Sequence, residues 1–266
     1  MKRITIHFSH ANSYPAGTYT VLFEQMKKHY DVHALDMHAH NPAYPVTNGW
    51  SWLERELADE LHKRYREPVV LVGHSLGGML SLMAAKARPE LVRAVVLLDS
   101  PVVAGWRAAI WGAIKPLKLA DRFSPARLSE RRRNVWPDAE AAWRHFASKD
   151  VFARWDRRVL RDYLKHGLVP HPEGVTLRFS RETETAIYRS LPHHLGKLAS
   201  RSYPVPVGFI GGHDSVECRQ AGLAATRRLV GRHFMQVPGG HLFPMEAPAE
   251  TAKAVHKMIH SLLNKP

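Results

Sequence analysis

The chain has 266 residues, enough to bury a substantial core as one α/β domain with an insertion, and its 45% apolar content is ordinary for a globular protein. The single cysteine, Cys218, excludes an intramolecular disulfide and fits a reducing cytoplasm. A net charge of +14 would suit an anionic substrate, an anionic lipid surface or nucleic acid, but solvated basic helix faces explain it more simply; no nucleic-acid-binding module is recognisable, and no stretch nears the ~18 apolar residues that span a bilayer.

In chain order, Met1-Lys2-Arg3 leads into a strand at residues 4–8, broken by His7 and too short for the apolar part of a signal peptide. A helix follows over 19–28, a strand over 30–35 and a helix over 51–65. An apolar run at 69–72, introduced by Pro68, meets Gly73-His74-Ser75-Leu76-Gly77, and a helix continues to Arg88. A strand over 94–98 ends at Asp99. This alternation predicts a parallel sheet with helices on both faces.

The pentapeptide at 73–77 is the most telling segment. A Gly-x-Ser-x-Gly turn between strand and helix is so tight that side chains two residues either side of the serine would collide. Ser75 would stand at the carboxyl edge of the sheet, above the amino end of a helix whose free N–H groups favour negative charge. A serine nucleophile needs a base, and the base needs an orienting acid. Residues 205–210 read as a strand leading to Gly211-Gly212-His213-Asp214, and 234–237 as a strand leading to Pro238-Gly239-Gly240-His241. Ser75, Asp214 and His241 therefore each lie just past a different strand, and such ends converge on one edge of an open parallel sheet. Asp99 competes with Asp214 as the acid, with Glu217 behind both; the Gly-Gly-x-Asp loop favours Asp214. Asp36 reads as a turn residue, and Cys218 as a helix residue with no nucleophilic duty.

With Ser9-His10-Ala11-Asn12 after the first strand, Gly73 to Gly78, Leu98-Asp99, Gly212-His213-Asp214, and Gly240-His241 with Glu246 and Pro248 downstream, the chain resembles the α/β-hydrolase superfamily over nearly its whole length. The Ser…Asp…His order is the order of that family. The resemblance implies about six strands, the family's first antiparallel hairpin being absent. It also implies an oxyanion hole made by the backbone N–H groups of Asn12 and Leu76. Ala11 is the fallback donor, because alanine stands where the family often carries glycine. His10 reads as a buried, hydrogen-bonded loop residue.

The alternation stops between residues 101 and 200. That stretch carries 19 of the 38 Lys and Arg, with Arg131-Arg132-Arg133 the densest run, and five of the seven tryptophans: Trp106, Trp111, Trp136, Trp143 and Trp155. Helices are expected over 138–147, 157–166 and 183–191, and a hairpin over 168–179 around Glu173-Gly174. The resemblance implies a mainly helical cap (lid) at 101–200 on a core of 1–100 and 201–266, roofing the active site and excluding water. Most of the tryptophans are expected in the cap's own core. Tyr14, Trp50, Trp106 and Phe243 are pocket candidates from their nearness in sequence to the catalytic loops.

None of the 18 histidines falls into a zinc pattern, and no dinucleotide fingerprint is present, so neither metal nor cofactor is expected. The expected activity is a serine hydrolase cleaving a small or medium carboxylic ester or thioester through an acyl-enzyme on Ser75. A carbon–carbon bond hydrolase with the same triad and a non-catalytic binding protein using its basic cap are the alternatives. The expected partner is a small-molecule substrate, with no nucleic acid and no membrane span; a homo-oligomer is compatible, and the cytoplasm is the expected location.

Overall fold

A computed structural model of the protein describes residues 3–106, 108–109, 125–198 and 202–264. Six parallel strands form the central sheet: β1 (Ile4–Ser9), β2 (Tyr30–Ala34), β3 (Val69–His74), β4 (Val92–Leu98), β8 (Val207–Gly212) and β9 (Phe234–Val237). Their order is β2-β1-β3-β4-β8-β9. The three strands β3, β4 and β8 are apolar on both faces and almost wholly buried, as a doubly covered parallel sheet requires.

The two faces are read directly from alternation. Val70, Val72, Val96 and Leu98 pack with Leu22 and Met26 of helix α1 (Thr20–Met26) and with Val255, Met258 and Ile259 of α12 (Pro248–Leu263). Val69, Leu71, Val95 and Leu97 pack with Leu53, Leu57 and Leu61 of α2 (Ser51–Arg64) and with Leu80 and Met83 of α3 (Leu76–Ala87). Odd and even positions of one strand thus serve separate cores. Each fully buried Val or Leu contributes about 1.5–3 kcal/mol.

Register decides where function can sit. Ser9 pairs with Gly73, His74 with Leu98, Leu98 with Ile210, and Gly212 with Val237. The carboxyl ends of five strands therefore finish on one line. The loops carrying Asn12, Ser75, Asp99, Asp214 and His241 all leave from that edge.

Between β4 and β8 lie α4 (Ala126–Arg131), α5 (Ala139–Ala147), α6 (Asp150–Ala153), α7 (Arg157–Gly167) and α8 (Arg181–Arg189). The expected hairpin is β6 (Leu168–His171) and β7 (Gly174–Leu177), and β5 (Val135–Trp136), which the sequence did not suggest, pairs with β7 as a third strand. Side chains fix the helix starts. Asp138 accepts the Ala141 N–H at 2.7 Å, and Ser180 accepts that of Thr183 at 3.0 Å, which begins α8 two residues earlier than expected. Trp136 and Trp155 are buried, and Trp143 packs partly buried against the same cluster, so these three are structural; Trp111 lies outside the described residues. Their cluster is continuous with the β1–α1 face of the main core, through Tyr19, Tyr163 and Phe146.

Candidate active site

Ser75 sits at the turn from β3 into α3 with φ 52° and ψ −114°, a backbone conformation that costs a non-glycine residue about 1–3 kcal/mol. The neighbourhood holds it there. Its N–H donates to Leu98 O at 3.0 Å, and its carbonyl accepts from the N–H groups of Gly78 and Met79 and from the Ser100 hydroxyl. A Cβ on Gly73 would run into the carbonyl of Gly77, and one on Gly77 into the carbonyl of Ser9. Both glycines are demanded by close packing around the serine.

The Ser75 hydroxyl lies 3.0 Å from His241 Nε2, and His241 Nδ1 lies 2.7 Å from Asp99 Oδ2. Asp99 leaves β4 with φ 43°, an unusual conformation in which aspartate is enriched. Its carboxylate is fully buried, and it also accepts from the Gly212 N–H at 2.7 Å and the Ser215 hydroxyl at 2.6 Å. Burial would raise its pKa, but the hydrogen bond and charge of His241, with the Ser215 and Gly212 donors, prevail and hold it below the usual carboxylate range. For His241 burial works downward, and the Asp99 hydrogen bond with the negative charges of Glu217 and Asp99 outweighs it, so the imidazole pKa is raised. Glu217 Oε2 stands 3.9 Å from His241 Nδ1.

The expected acid, Asp214, is not the partner of the histidine. It is exposed, and its N–H donates to Gly239 O at 2.9 Å while Asp99 occupies His241 Nδ1. The reason lies in the glycines that drew attention to it. A Cβ on Gly212 would strike the Gly239 and Gly240 carbonyls, so this glycine lets β8 approach the histidine loop. The Gly212 N–H then points at the carboxylate of the neighbouring strand. The sequence signal for Asp99 was an acid directly after a wholly apolar strand.

The Leu76 and Asn12 N–H groups have no hydrogen-bond acceptor among the described residues, whereas the Ala11 N–H is taken by Tyr19 Oη at 3.1 Å, which removes the fallback donor. Leu76 opens α3, and Asn12 lies beyond β1, beside the Ser9 carbonyl that Gly77 approaches. Asn12 Nδ2 donates to Glu184 O on α8 at 3.2 Å, tying this loop to the segment above it. Glu184 is paired in turn with Arg132 at 2.7 Å, a buried contact that no sequence signal revealed.

The pocket candidates divide. Tyr14 is half-buried, edge-on to Trp155 and Tyr163 with ring centroids 5.5 and 5.7 Å away. Trp50 and Phe243 are only 1% exposed. Trp50 donates its indole N–H to Ser190 Oγ, and Phe243 lies in the α12-side core. Neither has surface left for a ligand; both are core residues. Trp106 is 65% exposed. His10 is fully buried and accepts the His38 N–H at 2.8 Å, a structural loop residue as expected. Among the described residues, the group of potential metal ligands is Asp99, Glu217 and His241, and two of these are engaged with each other beside Ser75.

The sequence pattern of the alpha/beta hydrolase family matches residues 8–254. The chain belongs to that family. The six-stranded parallel sheet described above agrees with that membership. The chain is 24% identical over 242 residues to a probable alcohol acetyltransferase of Cyberlindnera fabianii, covering 84% of this chain and 62% of that protein. It is 26% identical over 147 residues to the type I acyl-CoA thioesterase mpaH of Penicillium roqueforti, over 51% of this chain and 32% of the relative. A 74-residue stretch is 36% identical to lipase LipV of Mycobacterium tuberculosis, 27% of this chain and 28% of that one. The chain thus spans less than two thirds of the length of each of these relatives. Among solved structures, E-2-(acetamidomethylene)succinate hydrolase superposes with a TM-score of 0.76 at 23% identity, over 97% of this chain and 91% of the other. The thioesterase domain of the curacin biosynthetic pathway gives 0.74 at 17%, over 96% and 92%. These two likenesses concern the fold. Among the described residues no helix is long and apolar enough to cross a membrane.

Proposed function

We propose that this hydrolase cleaves small or medium carboxylic esters or thioesters through an acyl-enzyme on Ser75. The observation that carries the reading is the continuous relay from Ser75 Oγ to His241 Nε2 at 3.0 Å and from His241 Nδ1 to Asp99 at 2.7 Å. Asp99 accepts a hydrogen bond from Nδ1–H, so the neutral ring's Nε2 is left bare and faces the serine hydroxyl. His241 takes that proton as Oγ attacks the carbonyl carbon. The oxyanion is held by the N–H groups of Leu76 and Asn12, each such donor lowering the barrier by about 3 kcal/mol. His241 then passes the proton to the departing alkoxide or thiolate as its bond to the acyl carbon breaks. Water, deprotonated by His241, attacks the acyl-enzyme and releases the acid. Residues 101–200 act as a cap over this site, with α8 touching the oxyanion loop through Asn12. We place the enzyme in the cytoplasm.

The test is turnover of p-nitrophenyl acetate, p-nitrophenyl butyrate and a series of acyl-CoA thioesters, alongside labelling by a fluorophosphonate. Wild type turns over and labels; Ser75→Ala and His241→Ala do neither. A folded wild type that neither labels nor turns over any of these substrates overturns the reading. The likeness to a probable alcohol acetyltransferase favours a second fate for the same acyl-enzyme, capture by an alcohol in place of water. Ethanol in the assay separates the two: ethyl ester product supports transfer, and free acid alone supports hydrolysis. A vinylogous diketone in the same screen tests carbon–carbon cleavage.

A further inference from the structure

Beneath the relay lies a second chain of buried polar groups that the acyl-transfer steps leave unused. The Ala11 N–H donates to Tyr19 Oη at 3.1 Å, Tyr19 Oη lies 2.8 Å from His74 Nδ1, and His74 Nε2 lies 2.9 Å from the His241 carbonyl oxygen. Tyr19 and His74 are 1% and 0% exposed, so both are shut off from bulk solvent. One proton arrangement satisfies every member. A carbonyl only accepts, so His74 carries its proton on Nε2 and donates to His241 O. In the neutral ring Nδ1 is then bare and accepts from the Tyr19 hydroxyl, whose lone pair accepts the Ala11 N–H. Burial, with the nearby His241 adding to it, pushes the His74 pKa down to about 3, so the neutral ring persists at ordinary pH.

The chain touches three catalytic loops at the residues that matter. Ala11 precedes the proposed oxyanion donor Asn12, His74 precedes Ser75, and His241 is the base itself. We propose that Tyr19 and His74 form a positioning pair that locks the oxyanion loop, the nucleophile turn and the histidine loop into one geometry. The proposal rests on the reading of Ser75 and His241 as the catalytic pair. Tyrosine is suited to the central place because its hydroxyl donates and accepts at once. The pair also commits the Ala11 N–H and leaves that of Asn12 to face the substrate.

Tyr19→Phe keeps the ring, which packs 4.7 Å from Phe8, and removes only the hydroxyl. Measured on folded protein with p-nitrophenyl butyrate, it lowers kcat about 10- to 100-fold with KM changed by less than about threefold, and fluorophosphonate labelling slows by the same factor. His74→Phe does likewise, and the double variant is no slower than the worse single one, because both remove one device. Tyr65→Phe is the control. It breaks the similar 2.9 Å hydrogen bond to His7, which leads to no catalytic loop, and leaves kcat at the wild-type value. A folded Tyr19→Phe with wild-type kcat and labelling, or additive losses in the double variant, overturns the proposal. If Tyr19→Phe does not fold, nitrogen NMR of His74 in the wild type decides. The Nε2–H tautomer down to about pH 5 supports the chain, and an Nδ1–H or doubly protonated ring overturns it. An inert wild type that shows the Nε2–H tautomer sinks the catalytic reading, and the positioning role with it, while the hydrogen-bond chain stands.

Discussion

Asp99 and Asp214 lie just beyond neighbouring parallel strands, on the same edge of the sheet, and have opposite fates. Asp99 is fully buried, and its carboxylate is hydrogen-bonded by a backbone N–H, a hydroxyl and an imidazole. Asp214 is exposed, and its tie to the histidine loop is through its backbone N–H to Gly239 O. Two acids with equivalent positions in sequence are thus separated by which loop offers donors and which offers room. A glycine pair before an acid signals close chain approach; the acid that profits is the one just past the neighbouring strand β4, not the one next in sequence.

The comparison can be broken most decisively through the nucleophile they are meant to serve. Ser75→Ala is expected to lose about 10⁵-fold or more in kcat and all fluorophosphonate labelling, measured by burst and steady-state ester hydrolysis. Residual turnover of the wild-type order would make the question of the acid moot.

The two acids are then weighed directly. Asp99→Asn presents an amide to His241, which turns the imidazole to the wrong tautomer, with Nε2–H facing the serine. The expected loss is about 10⁴-fold in kcat. Asp214→Asn is expected to stay within about twofold of wild type. The reverse ranking in kcat/KM would restore Asp214. The residual activity of Asp99→Asn should also keep its rate to lower pH. The proposed mechanism needs a neutral His241, and the variant removes the hydrogen bond and a charge that raise its pKa.

Stability sharpens the contrast between a satisfied charge and buried neutral bases. Burial holds His7 and His74 at pKa values of about 3, and the ordinary imidazole value of 6.5 applies once they are released by unfolding. Below that value the unfolded chain binds more protons than the folded one. Stability is therefore full above about pH 7 and falls by about 1.4 kcal/mol per pH unit for each such histidine as the pH drops toward 3. Urea midpoints between pH 7.5 and about 4.5 measure this, and His7→Gln should remove one histidine's share of the slope. Midpoints independent of pH would contradict the neutral, buried assignment.

The smallest expected effect concerns the half-exposed carboxylate near the imidazole. Glu217, 3.9 Å from His241 Nδ1 and 48% exposed, adds negative charge screened by solvent. Glu217→Gln should shift the acid limb of the pH–rate profile down by a few tenths of a unit, with the plateau kcat nearly unchanged. A shift upward, or none, would leave Asp99 as the sole electrostatic partner of the base.

By itself the sequence determined the parallel alternation of strands and helices, the turn that carries Ser75, the histidine at 241 and the hairpin at 168–179. These are written locally, in apolar runs, in glycines whose absent side chains permit one turn, and in capping residues one to three positions from what they cap. Tertiary structure alone decided that Asp99 meets His241, that Trp50 and Phe243 are core, that Tyr19 takes the Ala11 N–H, and that Glu184, paired with Arg132, lies buried against Asn12. Each of those depends on the distance between segments far apart in the chain, and the strand order and register set that distance. A hydrogen-bond partner is chosen by what arrives within about 3 Å, and sequence spacing does not encode that arrival.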